Sequence, residues 1–281
     1  MNTDRGRLFK LFKYGVYALL TANIFIFFVE EWTAAPHRFA DGVGFGDIIE
    51  GFTATIDTAA WVILLLMFEL ETYVLDDKSF TNRVTWSLHG LRAICYGFIV
   101  YSFYGYIATM LFMTSASPFA DLSDLCTLVD GQWSYAIDLD EYTVLTGANC
   151  AALSTAGIFM QLSGLTAVVD QAGLADIIWL TRVDVINAGT WLLVVLVLEF
   201  DVRLQEHDRL KGGALKFSNF SKYVLYSTLL LAAIYWGFKG DFVDFWDAFL
   251  WLVAFVFIEL NVVDWRKASL NVPQGPIQTA K

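Results

Sequence analysis

Proline is scarce in this chain of 281 residues, and the four present, Pro36, Pro118, Pro273 and Pro276, are all expected to lie outside its helices. Nothing in its long apolar runs interrupts a helix. Histidine is scarcer: His37, His89 and His207 lie far apart, so no pair has metal-ligand spacing, and each reads as an incidental polar residue. Haem pairs, phosphate loops and nucleophile elbows are absent, as are low-complexity segments. The glycines of Gly42-Val-Gly44-Phe-Gly46 lack the strand-to-helix context of a nucleotide site and read as a flexible loop. Basic residues are outnumbered 18 to 29, for a net charge of -11, which argues against nucleic acid as a partner. No enzyme is expected, and the sequence points to no particular cofactor.

Apolar residues, by contrast, make up 57% of the chain and aromatics 16%, with a mean hydropathy of +0.55. That composition belongs to a polytopic membrane protein. Runs long enough to cross a hydrocarbon core of roughly 30 Å lie near 14-30, 58-75, 90-113, 188-204, 221-238 and 246-263. The expectation is an all-α bundle of six transmembrane helices. The first run resembles a signal peptide followed by Thr33-Ala34-Ala35, but Pro36 after that site argues for a retained helix.

One phrase occurs three times. Trp61, Trp191 and Trp251 are each followed eight residues later by a glutamate, Glu69, Glu199 and Glu259, and two residues beyond that by Glu71, Asp201 or Asn261. Asp57, Asn187 and Asp247 stand four residues before each Trp, and an outward run begins each time with a cation four residues before a Tyr, at Lys13, Arg92 and Lys222. Such recurrence predicts three tandem two-helix repeats, 1-77, 78-210 and 211-267, with a large insertion at 116-183 forming a partly helical outer cap and a disordered tail at 268-281.

Charge sets the orientation. With both termini cytoplasmic, only Arg38, Arg182 and Lys239 of the 18 basic residues fall outside, in keeping with the bias of Lys and Arg towards the cytoplasm. The expected location is a bacterial inner membrane or another plasma membrane. Accepting 151-169 as a seventh span would reverse the next helix, so that segment reads as a re-entrant or surface-lying helix. Cys126 and Cys150 share the oxidising side and are expected to form a disulfide, whereas Cys95 reads as a small packing residue.

Asp57, Asn187 and Asp247 read most simply as helix N-caps, and the three Trp as interfacial anchors one turn further in. Asp47-Ile-Ile and Asp176-Ile-Ile look like short outer helices ahead of the returning ones. The glutamates lie too deep for easy access to water, where a charge costs at least about 2.5 kcal/mol. Glu69, Glu199 and Glu259 are therefore the candidate ion-binding residues, with Lys13, Arg92 and Lys222 as counterions and Glu71, Asp201 and Asn261 as secondary polar groups. Cation or proton passage is the first functional expectation. A non-catalytic membrane subunit, packed in the bilayer against other membrane subunits with its glutamates in salt bridges, is the second. The acidic outer surface either concentrates cations at any pore mouth or reflects a saline habitat, and the loop that Cys126 and Cys150 would close carries the run Asp138-Leu-Asp140-Glu141. Three two-helix repeats with both termini on one side resemble the general layout of mitochondrial carriers, but the proline-kinked signature of that family is missing and the likeness is one of layout alone.

Overall fold

The computed structural model describes residues 3-38, 48, 51-71, 81-162, 165-206 and 211-255. Glu259, Asn261, His207, the glycine loop and the tail lie outside them. Six long helices run through the described residues: α1 (Thr3–Arg38), α2 (Thr53–Glu69), α3 (Asn82–Thr114), α4 (Gln171–Glu206), α5 (Gly213–Lys239) and α6 (242-255). Three segments, Arg7–His37, Asn82–Thr114 and Gln171–Leu204, are long and apolar enough to cross a membrane. Phe25, Val29, Tyr104, Leu111 and Leu196 stand exposed on these helices. Apolar outer faces of that extent are costly in water and suited to lipid, so the fold is compatible with membrane insertion.

The helices pack in sequence, α1 on α2, α2 on α3, α3 on α4 and α4 on α5. Helix α6 then closes the circuit. It meets α5 where Phe245 lies against Gly237, so close that a Cβ there would sit 3.4 Å from the ring. It meets α1 where Asn23 Nδ2 donates to Asp247 Oδ1 at 2.8 Å. Leu20, Val62, Leu65, Val194, Leu229 and Ala254 fill the space between the helices as one buried apolar cluster.

Both α1 and α4 have 36 residues, about 54 Å at 1.5 Å per residue, well beyond a hydrocarbon core. This length corrects three expectations. Pro36 lies inside α1, in its last turn, and Asp176-Ile-Ile is part of α4 rather than a separate outer helix. Asp57, Asn187 and Asp247 lie within helices rather than at their starts, so none is an N-cap. The start of α2 is capped instead by Glu31 of α1, whose carboxylate accepts from Ala54 N at 2.8 Å, Thr55 N at 3.1 Å and Thr55 Oγ1 at 2.6 Å. A carboxylate there satisfies otherwise unpaired amides and suits the positive end of the helix dipole.

The cap is not chiefly helical. The described residues of 151-169 hold no re-entrant or surface-lying helix; a single helical turn, Cys150–Leu153, and a short 3-10 turn give way to strands. Strands β1 (Ser117–Pro118), β2 (Ser134–Ala136), β3 (Tyr142–Val144), β4 (Phe159–Gln161) and β5 (Ala167–Asp170) form one sheet in the order β1-β4-β5-β2-β3. Strands β2 and β5 pair in parallel and the other neighbours antiparallel. Alternation along β5 divides the cap core. Ala167 and Val169 pack with Met113, Leu174 and Ile177 of the helices, while Val168 joins Leu125, Leu145 and Phe159 on the other face. The disulfide Cys126–Cys150 lies beside this upper cluster and closes 24 residues of chain.

Chain-entropy arguments give a bridge of that span roughly 3 kcal/mol of stabilisation. The variant with both Cys126→Ser and Cys150→Ser is therefore expected to open the cap to proteases between β1 and β4 at temperatures where the parent resists. Equal resistance of parent and variant would show that the sheet holds without the bridge. Cys95, the free thiol, is buried between α2 and α4 beside Ala60, Ile99 and Leu192.

Candidate functional site

The recurring residues separate into two levels. Trp61, Trp191 and Trp251 do not anchor in an interface, because they turn inward and meet one another. Their ring centroids are 6.4, 6.3 and 6.4 Å apart, with interplanar angles between 55° and 65°. This near-equilateral triangle lies at the centre of the bundle, and Phe255 packs 4.5 Å from Trp191. An indole at an equivalent position on each of three helices can fill an axis as readily as it can sit in a headgroup layer, and here it fills the axis.

Above the triangle, at the cap end, opens a cavity of about 460 Å³. Its walls carry ten carboxylates, Glu30, Glu31, Asp57, Asp138, Asp140, Glu141, Asp184, Asp241, Asp244 and Asp247, and no Lys, Arg or His among the described residues. They come from separate parts of the fold. Glu30 and Glu31 lie about two turns before the end of α1, Asp57 lies one turn above Trp61 on α2, and Asp184 and Asn187 lie above Trp191 on α4. Asp241 and Asp244 follow the sharp turn at Gly240, whose φ of 89° favours glycine, and Asp247 lies above Trp251 on α6.

Asp138, Asp140 and Glu141 belong to the tip of the β2-β3 hairpin, which the cap lowers over the mouth. That tip is held by Ile137 N donating to Glu141 O at 2.9 Å and Leu139 N donating to Asp138 Oδ1 at 2.7 Å. His37 at the end of α1 steadies the same hairpin, its Nδ1 2.8 Å from Ser134 Oγ and its ring stacked on Tyr142 at 5.3 Å. Desolvation, reinforced by the carboxylates of Asp241, Asp140 and Glu141, pushes the Asp138 carboxyl up to about 6, although the Leu139 amide opposes the shift.

One buried polar atom on the walls lacks a hydrogen-bond partner, the Asn187 Oδ1, while the indole N–H of the buried Trp236 is directed at the Asp184 carboxyl. Trp236 is only 3% exposed. Among the described residues no group of three or more His, Cys, Asp or Glu is arranged to hold a metal ion. The carboxylates surround a space rather than converge on a point.

At the far end of the bundle lie the glutamates and cations singled out by sequence, and the structure does not bring the described glutamates together. Glu69 is buried and paired with Lys13, and Tyr14 OH also donates to it at 3.0 Å. Glu199 is on the surface, its side chain 55% exposed, bonded to Arg203 one turn along at 2.9 Å. Arg92 pairs with Glu71 through bonds of 2.9 and 2.7 Å, and Lys222 with Asp201 at 2.7 Å, where Ser218 Oγ also donates at 2.7 Å. The secondary positions thus take two of the three cations. Two residues turn a helix by about 200°, so Glu71 and Asp201 face the next helix in sequence while Glu199 faces away.

Comparison with known protein families, curated proteins and solved structures finds no match for this chain.

Proposed function

We propose that the chain is an integral membrane protein that takes up cations from the side of the membrane on which the cap lies, in the acidic cavity above the tryptophan triangle. The observation that carries this reading is the lining itself: ten carboxylates with no cationic side chain among the described residues. Carboxylates gathered in a partly closed space repel one another, and an incoming cation relieves that repulsion more than it would on an open surface. In this reading the ion site lies at the cap end, a level above Glu69 and Glu199.

In the same reading, six helices span the bilayer as three tandem pairs, the termini are cytoplasmic and the cap faces out. The triangle supports the repeats, since one residue from each pair occupies each corner with nearly equal separations. Passage across the membrane would then require the triangle and the apolar cluster below it to part. The pairs Lys13–Glu69, Arg92–Glu71 and Lys222–Asp201 would hold the cytoplasmic ends of adjacent helices together in the outward-open state.

Flux into proteoliposomes tests the function. Uptake of radioactive rubidium or of labelled organic cations is expected to weaken as external pH falls through about 6, because protonation of Asp138 removes a charge from the mouth. A flux independent of external pH, or none for any cation, would count against it. Orientation is tested by single-cysteine labelling in a Cys95→Ala background that keeps the disulfide. An impermeant maleimide should reach Ser123→Cys in intact cells and Lys216→Cys only after permeabilisation; the reverse pattern defeats the topology.

One observation favours a second reading, a membrane subunit that packs against partners: α3 exposes Trp86, Phe98, Tyr101 and Tyr104. Purification in mild detergent as a stoichiometric complex, without any cation binding, would favour it.

A further inference from the structure

We infer that the ligand of the acidic cavity is a small organic ammonium ion rather than a bare metal ion; this rests on the reading of the cavity as a cation site. Three features of the lining point to it. The first is size: about 460 Å³ is the scale of a small-molecule pocket, far larger than a coordination shell with oxygens 2.0 to 2.6 Å from an ion. The second is the arrangement of the acids, which supplies no cluster of three ligands for a metal among the described residues. Magnesium and calcium require several oxygens at one point, whereas an alkylammonium ion needs only negative potential spread over its surface.

The third is the floor. Trp61, Trp191 and Trp251 line the lower part of the cavity, one helical turn below Asp57, Asn187 and Asp247, with Phe255 a further turn below Trp251. Indole is the best of the aromatic side chains at attracting a cation through its ring face, and a cage of aromatics with nearby carboxylates suits cations that carry alkyl groups. An inorganic ion would have to shed its hydration to reach such a floor and would gain few oxygens in return. A quaternary alkylammonium ion is weakly hydrated and places its methyl or methylene surface against the rings. The walls also offer an unpartnered buried acceptor, Asn187 Oδ1. A ligand bearing a hydroxyl or N–H group would satisfy it.

Calorimetry on the purified full chain in detergent provides the test, with choline as the organic ammonium, 3,3-dimethyl-1-butanol as its uncharged isostere, and rubidium and magnesium as inorganic ions. The expected result is saturable choline binding at least tenfold tighter than either inorganic ion and at least a hundredfold tighter than the uncharged alcohol. Trp61→Leu is expected to weaken choline at least tenfold and Trp61→Phe much less, because phenylalanine keeps a ring face. Should Trp61→Leu fail to fold, the comparison among ligands on the unaltered protein still decides. Rubidium or magnesium binding as tightly as choline would overturn the inference while leaving a cation site in the cavity. Equal binding of the alcohol would overturn it by removing the role of charge. Absence of binding by all four probes would defeat both the inference and the reading beneath it.

Discussion

Replacing Asp57 and Asp184 together by Asn is expected to lower cation uptake at least tenfold while leaving the protein folded and no less stable. Both side chains line the cavity and neither contributes to a described salt bridge. Each substitution keeps shape and hydrogen-bonding capacity but removes a carboxylate that, in the free protein, lies among others of the same sign. The empty protein is relieved of repulsion, while the loaded protein loses the attraction that drew its ligand in. A tenfold loss corresponds to about 1.4 kcal/mol, a modest demand on two charges at a partly enclosed site. Unchanged uptake by the double variant, with the melting temperature preserved, would remove the cavity from the transport route.

The second large effect separates residues that the sequence presents as equivalents. Glu69→Gln is expected to destabilise the protein by about 3-5 kcal/mol, because it removes the buried carboxylate that pairs with Lys13, whose side chain is only 5% exposed. Adding Lys13→Met should recover a large part of that loss, since an apolar side chain of similar length suits the site once the charge is gone. Glu199→Gln, at the same place in its own phrase, is expected to cost no more than about 0.5 kcal/mol, because Glu199 and Arg203 form an exposed pair one turn apart. Thermal melts of the three variants in one detergent suffice. Similar losses for Glu69→Gln and Glu199→Gln would mean that the two glutamates are held alike.

These two residues show where reading the sequence succeeds and where it stops. The spacing of Trp, Glu and the preceding Asp or Asn identified matched positions on three helices, and the tryptophans do meet at one level. Spacing fixes the relative position of residues along a helix; it does not say which face turns inward. An indole one turn from a presumed helix start fits a membrane interface, yet the helices continue beyond that point and the rings fill the axis instead. Likewise the glutamates share a register, but Lys13 takes Glu69 whereas Arg92 and Lys222 take Glu71 and Asp201, a choice set by which helices are neighbours.

The disulfide was legible because only two cysteines share the cap. The sheet was not, since its strands have two to four residues, too few for alternation to stand out in a Ser- and Ala-rich stretch. The excess of acid on the cap side was visible as a charge count, and the run Asp138-Leu-Asp140-Glu141 as a local cluster. Their convergence was not visible, because the lining is assembled from segments as far apart in sequence as Glu30 and Asp247. Glu31 as the cap of α2 is a contact across 23 residues that no local pattern announces.

Carboxyl protection tests the central claim most directly, because it reads the cavity itself and requires neither flux nor an assumed direction of transport. The purified protein is treated with a water-soluble carbodiimide and a neutral hydrazide, with and without choline, rubidium or magnesium, and the modified acids are mapped by mass spectrometry. At least one of these cations is expected to protect Asp57 and Asp184 at concentrations that leave Asp121 and Asp130, which lie outside the cavity, as reactive as before. Modification of Asp57 and Asp184 at the same rate with and without every cation would contradict the account.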